Sequence, residues 1–341
     1  AEASTLRAAE LAERIGDPGA RAREEQVKWR SVFTAGDYAD AEATVQRFMA
    51  LTQDHGDAVW RRAFILRAGL QQGFYTGDLG RAERDFEAWK GLRDGSHRAP
   101  GDDVLSMGIG GLTAQMAGRH THGRDRIRQA FEIADACGTP YDLAMATHTE
   151  ACFHHFAEDA AQLVSADGGF EYASHLATGW LAITDLDAGR IAEGRERAAA
   201  ALKGIDRLGA GVSRVFWLGV MARAQWLAGD AAAEQGFREA YACNPRELAF
   251  APATRMAHAR LLAACGREFE AAREFSRTAR LSAAMGAGLF QFRALTALAG
   301  LVQAAAGSRE RALRAAQTLT HLDHGPVDRA RFDALVGTAG A

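Results

Sequence analysis

Apolar residues along this chain recur at helical spacing, in segments that each close on a glycine followed by a polar residue. The marks are Gly36, Gly77, Gly118, Gly189, Gly229, Gly266 and Gly307, and in "FAEDAA" Glu158 fills the same slot. Successive intervals are 41, 41, 40, 31, 40, 37 and 41 residues, a period that identifies an internal repeat. Each mark predicts the corner of a helix–turn–helix, closed by a residue in a left-handed conformation. Two further positions keep step with the corner. A small residue follows it by five (Ala41, Ala82, Gly123, Gly194, Ala271, Ala312), and another precedes it by seven (Gly111, Ala151, Ala182, Ala222, Ala259, Gly300). Small residues there let the two backbones of a hairpin approach. Trp29 and Leu70 break the earlier pattern, and Leu163 and Glu234 the later one. Pro18, Pro100, Pro140, Pro245 and Pro252 fall between hairpins, where they are expected to end helices without breaking one. Residues 1–16 read as one amphipathic helix with no partner before it, the expected second helix of a hairpin begun upstream.

Composition agrees with an all-α chain organised as a single domain over residues 1–341: alanine and leucine are abundant, and proline numbers only 6. A formal net charge of −3 gives no field for wholesale binding of nucleic acid or an acidic membrane. No run of eighteen apolar residues is present to span a bilayer, and the start of the sequence carries no signal-peptide pattern. Cys137, Cys152, Cys243 and Cys265 form no C-x-x-C pair, so a reduced, cytoplasmic protein is expected. No lysine follows a glycine, which excludes a phosphate-binding G-x-x-x-x-G-K-[ST] loop. "MGIGGLTAQMAG" is not G-x-G-x-x-G, and G-x-S-x-G is absent. With no activated nucleophile or paired carboxylates, the chain is expected to be neither an enzyme nor the holder of a cofactor.

Two small positions flanking a G-D corner, as in "TAGDYADA" and "YTGDLGRA", resemble the tetratricopeptide repeat. The hairpins are longer than the usual ~34 residues. With "GTPYDLA" and "TGWLAITDLDAGRIAEG", that length is similar to the repeat regions of large bacterial ATP-dependent regulators, the LuxR-type and maltose-regulon-activator-like STAND proteins and the cyclase-fused ATPases. The resemblance covers the whole chain and is clearest from 131 to 241. It implies a right-handed α-solenoid of about eight TPR-like hairpins, used as a sensor or interaction domain, with any ATP- or DNA-binding module outside these residues. It further implies that the first helix of each hairpin lines a concave groove through positions thirteen, ten, six, three and two before the corner. That rule selects Arg23, Gln26, Arg30 and Phe33, then Phe64, Arg67, Gln71, Phe74 and Tyr75, then Leu105 and Gln115, then Met145, His148, Cys152 and His155, and later Asp187, Arg223, Trp226 and Arg260. In this reading Arg23, Arg30, Arg67, Arg223 and Arg260 oppose only Asp187, and a basic groove favours a carboxylate or phosphate. Gly108, Gly179 and Gly219 share one equivalent position and are expected to open space beside His148.

The stretch "THTEACFHHF" (147–156) sets His148, Cys152 and His155 on one helical face. Three readings stand: a metal site, a wall of the groove, or histidines packed between hairpins. The later helix of this hairpin is short and interrupted by "SADGGFEY", a departure from regularity that marks function or a harmless deletion. The candidate ligand-binding residues are Arg67, Gln71, Tyr75, Gln115, His148, Cys152, His155, Arg223 and Trp226, with no metal ligand assigned. The expected partner is a small, anionic effector. The alternatives are a peptide or helix of a partner protein held as on a scaffold, and self-association.

Overall fold

The computed structural model describes residues 16–53, 58–93, 100–158, 171–301 and 306–339, with Arg7, Leu11 and Arg14 before them. Most of the amphipathic segment 1–16, Leu163 and most of "SADGGFEY" lie outside the described residues.

Among the described residues the chain is helical, without strands. The hairpins are α1 (Pro18–Thr34) with α2 (Tyr38–Thr52), α3 (Ala58–Thr76) with α4 (Leu79–Arg93), and α5 (Pro100–Met116) with α6 (His120–Cys137). After α7 (Pro140–Ala157) come α8 (Glu171–Asp187) with α9 (Ile191–Arg207), and α10 (Arg214–Leu227) with α11 (Ala233–Cys243). Last are α12 (Ala251–Ala264) with α13 (Glu268–Met285), α14 (Gly288–Gly300) with α15 (Ala306–Gln317), and α16 (Gly325–Ala339). Each hairpin packs closely within itself, and leading helices lie against the next leading helix, as α3 on α5, α5 on α7 and α10 on α12. No helix among the described residues is long and apolar enough to cross a membrane.

The corners have the backbone that the glycine spacing predicts. Gly36, Gly77, Gly118, Gly189, Gly229 and Gly266 all have positive φ, and Glu158, which stands where a glycine is expected, adopts φ 57°. Gly307 instead lies in the first turn of α15. Pro245 follows the end of α11 as expected, whereas Pro18, Pro100, Pro140 and Pro252 open helices. Pro18 and Pro140 sit in the first turns of α1 and α7, capped by the side chains of Asp17 and Thr139. A proline at that point gives up only an N–H that has no helical partner anyway.

Inside hairpins the small positions are where backbones meet. A Cβ on Gly123 would stand 2.8 Å from the Gly111 carbonyl, and one on Gly194 3.1 Å from that of Ala182. Gly108, Gly179 and Gly219 do a different job from the one expected of them. They open no space beside His148, because the next leading helix fills it: added Cβ atoms would meet Thr149 at 2.5 Å, Trp217 at 2.4 Å and Thr254 at 2.5 Å. Gly179→Ala should therefore cost about 1–3 kcal/mol through overpacking against the Trp217 ring. The urea midpoint measures it, and an unchanged midpoint would mean that the ring moves aside at no cost.

The corners of the early hairpins are docked onto the later half of the chain. Val212 N–H donates to the Thr34 carbonyl (3.0 Å), Leu248 N–H to Tyr75 (2.8 Å) and His120 N–H to Asp323 (3.0 Å). The Asn244 amide donates to the Gly36 carbonyl at 3.0 Å. Glu158 meets Arg260, Arg293 and Arg331.

Candidate functional site

Between the first four leading helices lies a cavity of about 1000 Å³. It is bordered by the start of α8 and by the loop that carries Leu208, Ala210 and Val212. A volume of this size suits a small organic molecule. Helix α1 contributes Arg23, Gln26, Trp29, Arg30 and Phe33, and α3 contributes Trp60, Ala63, Phe64, Arg67, Gln71 and Tyr75. These α3 positions share a face because they recur at three- and four-residue steps. Helix α5 adds Asp103 and Leu105, α7 adds Tyr141, Met145 and His148, and α8 adds Glu171 and Tyr172.

The wall is built of aromatic rings. Trp29 stacks on Phe33 (5.0 Å between centroids) and meets Phe64 edge-on (5.7 Å), while Phe33 meets Tyr75 edge-on (5.4 Å). Among the rings stand polar groups that are themselves almost buried: Arg67, Gln71 and Asp103. The Trp29 indole N–H is also buried, with no hydrogen-bond partner among the described residues.

Of the nine residues put forward from the sequence, Arg67, Gln71, Tyr75 and His148 line this cavity. The other five are elsewhere. The Gln115 side-chain oxygen accepts from His120 Nδ1 at 2.9 Å, deep in the packing of α5 on α6. Cys152 is fully buried behind His148. His155 packs between the rings of Trp180 (5.7 Å) and Phe216 (5.3 Å). Arg223 pairs with Asp187 at 2.5 Å. Trp226 packs on His258 at 5.9 Å, under the Arg267 guanidinium. The expected basic groove opposed only by Asp187 is likewise replaced by paired charges. Arg260 binds Glu158 at 2.6 Å, and the cavity holds Asp103 and Glu171 beside its arginines.

The His148 ring has both nitrogens engaged. The Trp180 indole donates to Nδ1 at 3.2 Å, which leaves the proton on Nε2, 3.8 Å from Cys152 Sγ. Burial pushes the His148 and His155 imidazoles down to about 4 and the Cys152 thiol well up, so all three are neutral at pH 7. Among the described residues, no group of three His, Cys, Asp or Glu side chains converges as metal ligands would.

Trp29, Trp60 and Trp89 also line the cavity, though none is among the nine residues put forward. For Trp29 a signal was present: it is the large residue at a position where most other hairpins carry a small one. Trp60 lies one turn before Phe64 on the same face, and Tyr141 holds the equivalent place seventeen residues before its own corner.

The fold and this cavity define a protein of packed helical hairpins around a ligand-sized aromatic pocket. No family model and no curated protein matches the chain.

Proposed function

We propose that this chain is the non-catalytic sensor domain of a larger cytoplasmic bacterial regulator, a right-handed solenoid of about eight TPR-like hairpins that binds a small anionic effector. The observation that carries the reading is the ligand-sized cavity with Arg23, Arg30 and Arg67 in its aromatic wall. Its walls come from both halves of the chain, the early leading helices on one side and Tyr172 with the 208–212 loop on the other. A molecule touching both halves stabilises the docked arrangement over a loosened one, which is the differential affinity that a switch requires.

Native mass spectrometry tests it. After incubation with a small-molecule cell extract, the wild-type chain should retain one added mass of metabolite size, and Ala63→Trp, which fills the chamber, should lose it. At a hundredfold excess over Kd the retained compound should stabilise the chain by about 2.7 kcal/mol. A wild-type chain that gains no mass, or a mass that survives Ala63→Trp, overturns the reading.

A further inference from the structure

On the reading of the cavity as a small-molecule site, the state of its charged groups narrows the kind of molecule it takes. Arg67 and Asp103 are almost buried in its wall, and both are already engaged by other groups of the protein. Arg30 is engaged likewise. Glu171 is exposed and paired with Arg207. His148 adds no charge, since the Trp180 indole donates to its Nδ1 and burial keeps the ring neutral. A charge carried into the cavity therefore gives up its water and meets groups that are already engaged, which costs free energy. What the wall offers instead is apolar. Trp60, Phe64, Trp89 and Tyr172 present rings from three helices, and Leu105 and Met145 add aliphatic surface.

A second observation marks the way in. Nine large apolar side chains are exposed among the described residues, and three of them line this one cavity: Val27 (47% exposed), Tyr141 (39%) and Leu208 (40%). They come from α1, the start of α7 and the loop after α9, three separate stretches of chain. Apolar surface gathered at the edge of a pocket and left facing water marks a binding site. Arg23 stands one turn before Val27 on the same face of α1 and is exposed too. The edge of the cavity thus sets apolar groups beside a hydrated cation.

We propose that the cavity takes a lipophilic organic molecule, which enters past Val27, Tyr141 and Leu208 and lodges its uncharged body among the rings. An acid group on such a molecule is carried on a stem that leaves it hydrated at this mouth, on the side of Arg23.

Two fluorescent probes share one aromatic body: neutral N-phenylnaphthylamine, and anilinonaphthalene sulfonate, whose acid group is fixed on the ring and must follow it inward. Each is titrated against wild type, Leu208→Glu and Ala63→Trp. Wild type should bind the neutral amine at 1:1 and at least about tenfold more tightly than the sulfonate, a modest share of the cost of burying a charge. Leu208→Glu, at an exposed position, should weaken the amine about three- to tenfold, the part of a leucine's burial that a ligand at the mouth supplies. Ala63→Trp should lose both probes. A smaller preference for the amine, or a preference for the sulfonate, with binding abolished by Ala63→Trp, would overturn the lipophilic assignment while leaving the cavity a small-molecule site. Amine binding that Leu208→Glu leaves unchanged would overturn the assignment of the mouth. Binding of neither probe, or binding that Ala63→Trp leaves intact, would overturn both the assignment and the small-molecule reading. If Ala63→Trp does not fold, the wild-type comparison and Leu208→Glu decide.

Discussion

Replacing Arg293 with methionine should lower the unfolding free energy by about 3–5 kcal/mol, the usual result of removing one partner from a buried ion pair. Arg293 on α14 is almost completely buried. Its Nε and one Nη atom donate to the two Asp328 carboxylate oxygens, both at 2.6 Å. Its other Nη atom stands 3.5 Å from Glu158 at the corner after α7. Methionine keeps most of the volume, but it leaves the buried Asp328 carboxylate without this fork. Burial alone would raise the Glu158 carboxyl. Arg293, Arg260 and Arg331 outweigh it and hold the group at about 2. The stability Glu158 contributes is therefore present above its ordinary pKa and is lost only as pH falls through about 2. Urea denaturation at neutral pH reads the effect of Arg293→Met, and a loss below about 1 kcal/mol would reduce the cluster to an ordinary surface pair. The corner offers an internal control. Glu158→Gly loses the charge but relieves the positive φ, whereas Glu158→Ala loses the charge and keeps the strain. The glycine variant should be the more stable of the two by about 1 kcal/mol.

The second large effect is a slope in stability against pH. Glu247 is almost wholly buried where the later half meets the first two corners. One of its oxygens accepts from the Tyr38 hydroxyl at 3.0 Å, and the other has no partner among the described residues. Burial pushes its pKa up to about 8, against the hydrogen bonds from Tyr38 and the Ser213 backbone, which pull it down. The phenols of Tyr38, Tyr75 and Tyr172 and the thiol of Cys243 are also raised by burial and stay neutral. Between the ordinary carboxylate range and about pH 8, the folded chain thus holds a proton that the unfolded chain has released. Stability should fall as pH rises through that window, by about 1.4 kcal/mol per unit and about 5 kcal/mol in all, and then level off. Glu247→Gln should remove this contribution and leave the variant several kcal/mol more stable than wild type near pH 8.5. Denaturation curves at four pH values between 5.5 and 8.5 measure both. Parallel profiles for the two proteins would mean that water reaches the Glu247 carboxyl.

What the sequence revealed is local. Corner glycines and the small residues around them report short-range backbone geometry, so the helices and turns are readable, down to Glu158 in a left-handed slot. The leading-helix faces of the first two hairpins are readable for the same reason: Phe64, Arg67, Gln71 and Tyr75 share a side whatever packs against them. What a face meets is another matter. Gly108, Gly179 and Gly219 show in the sequence as missing Cβ atoms, and nothing nearby says that Thr149, Trp217 and Thr254 occupy the space. Arg260 looks like a free groove cation because its partner, Glu158, is 102 residues away in the chain. Glu247 reads as one more surface carboxylate, since its burial depends on Tyr38, 209 residues before it.

The docking of the early corners on the later half has a consequence for how such a chain can change over evolutionary time. An open array of repeats can gain or lose a unit by duplication or deletion, since each unit touches only its neighbours. Here Thr34, Tyr75 and Asp323 accept hydrogen bonds from Val212, Leu248 and His120, so the two halves mesh like the teeth of paired gears. Removing one hairpin from either half would shift every later tooth by one and leave these carbonyls and the Glu158 carboxylate facing the wrong partners. Deleting one hairpin from this chain should therefore destabilise both halves, not the cut site alone.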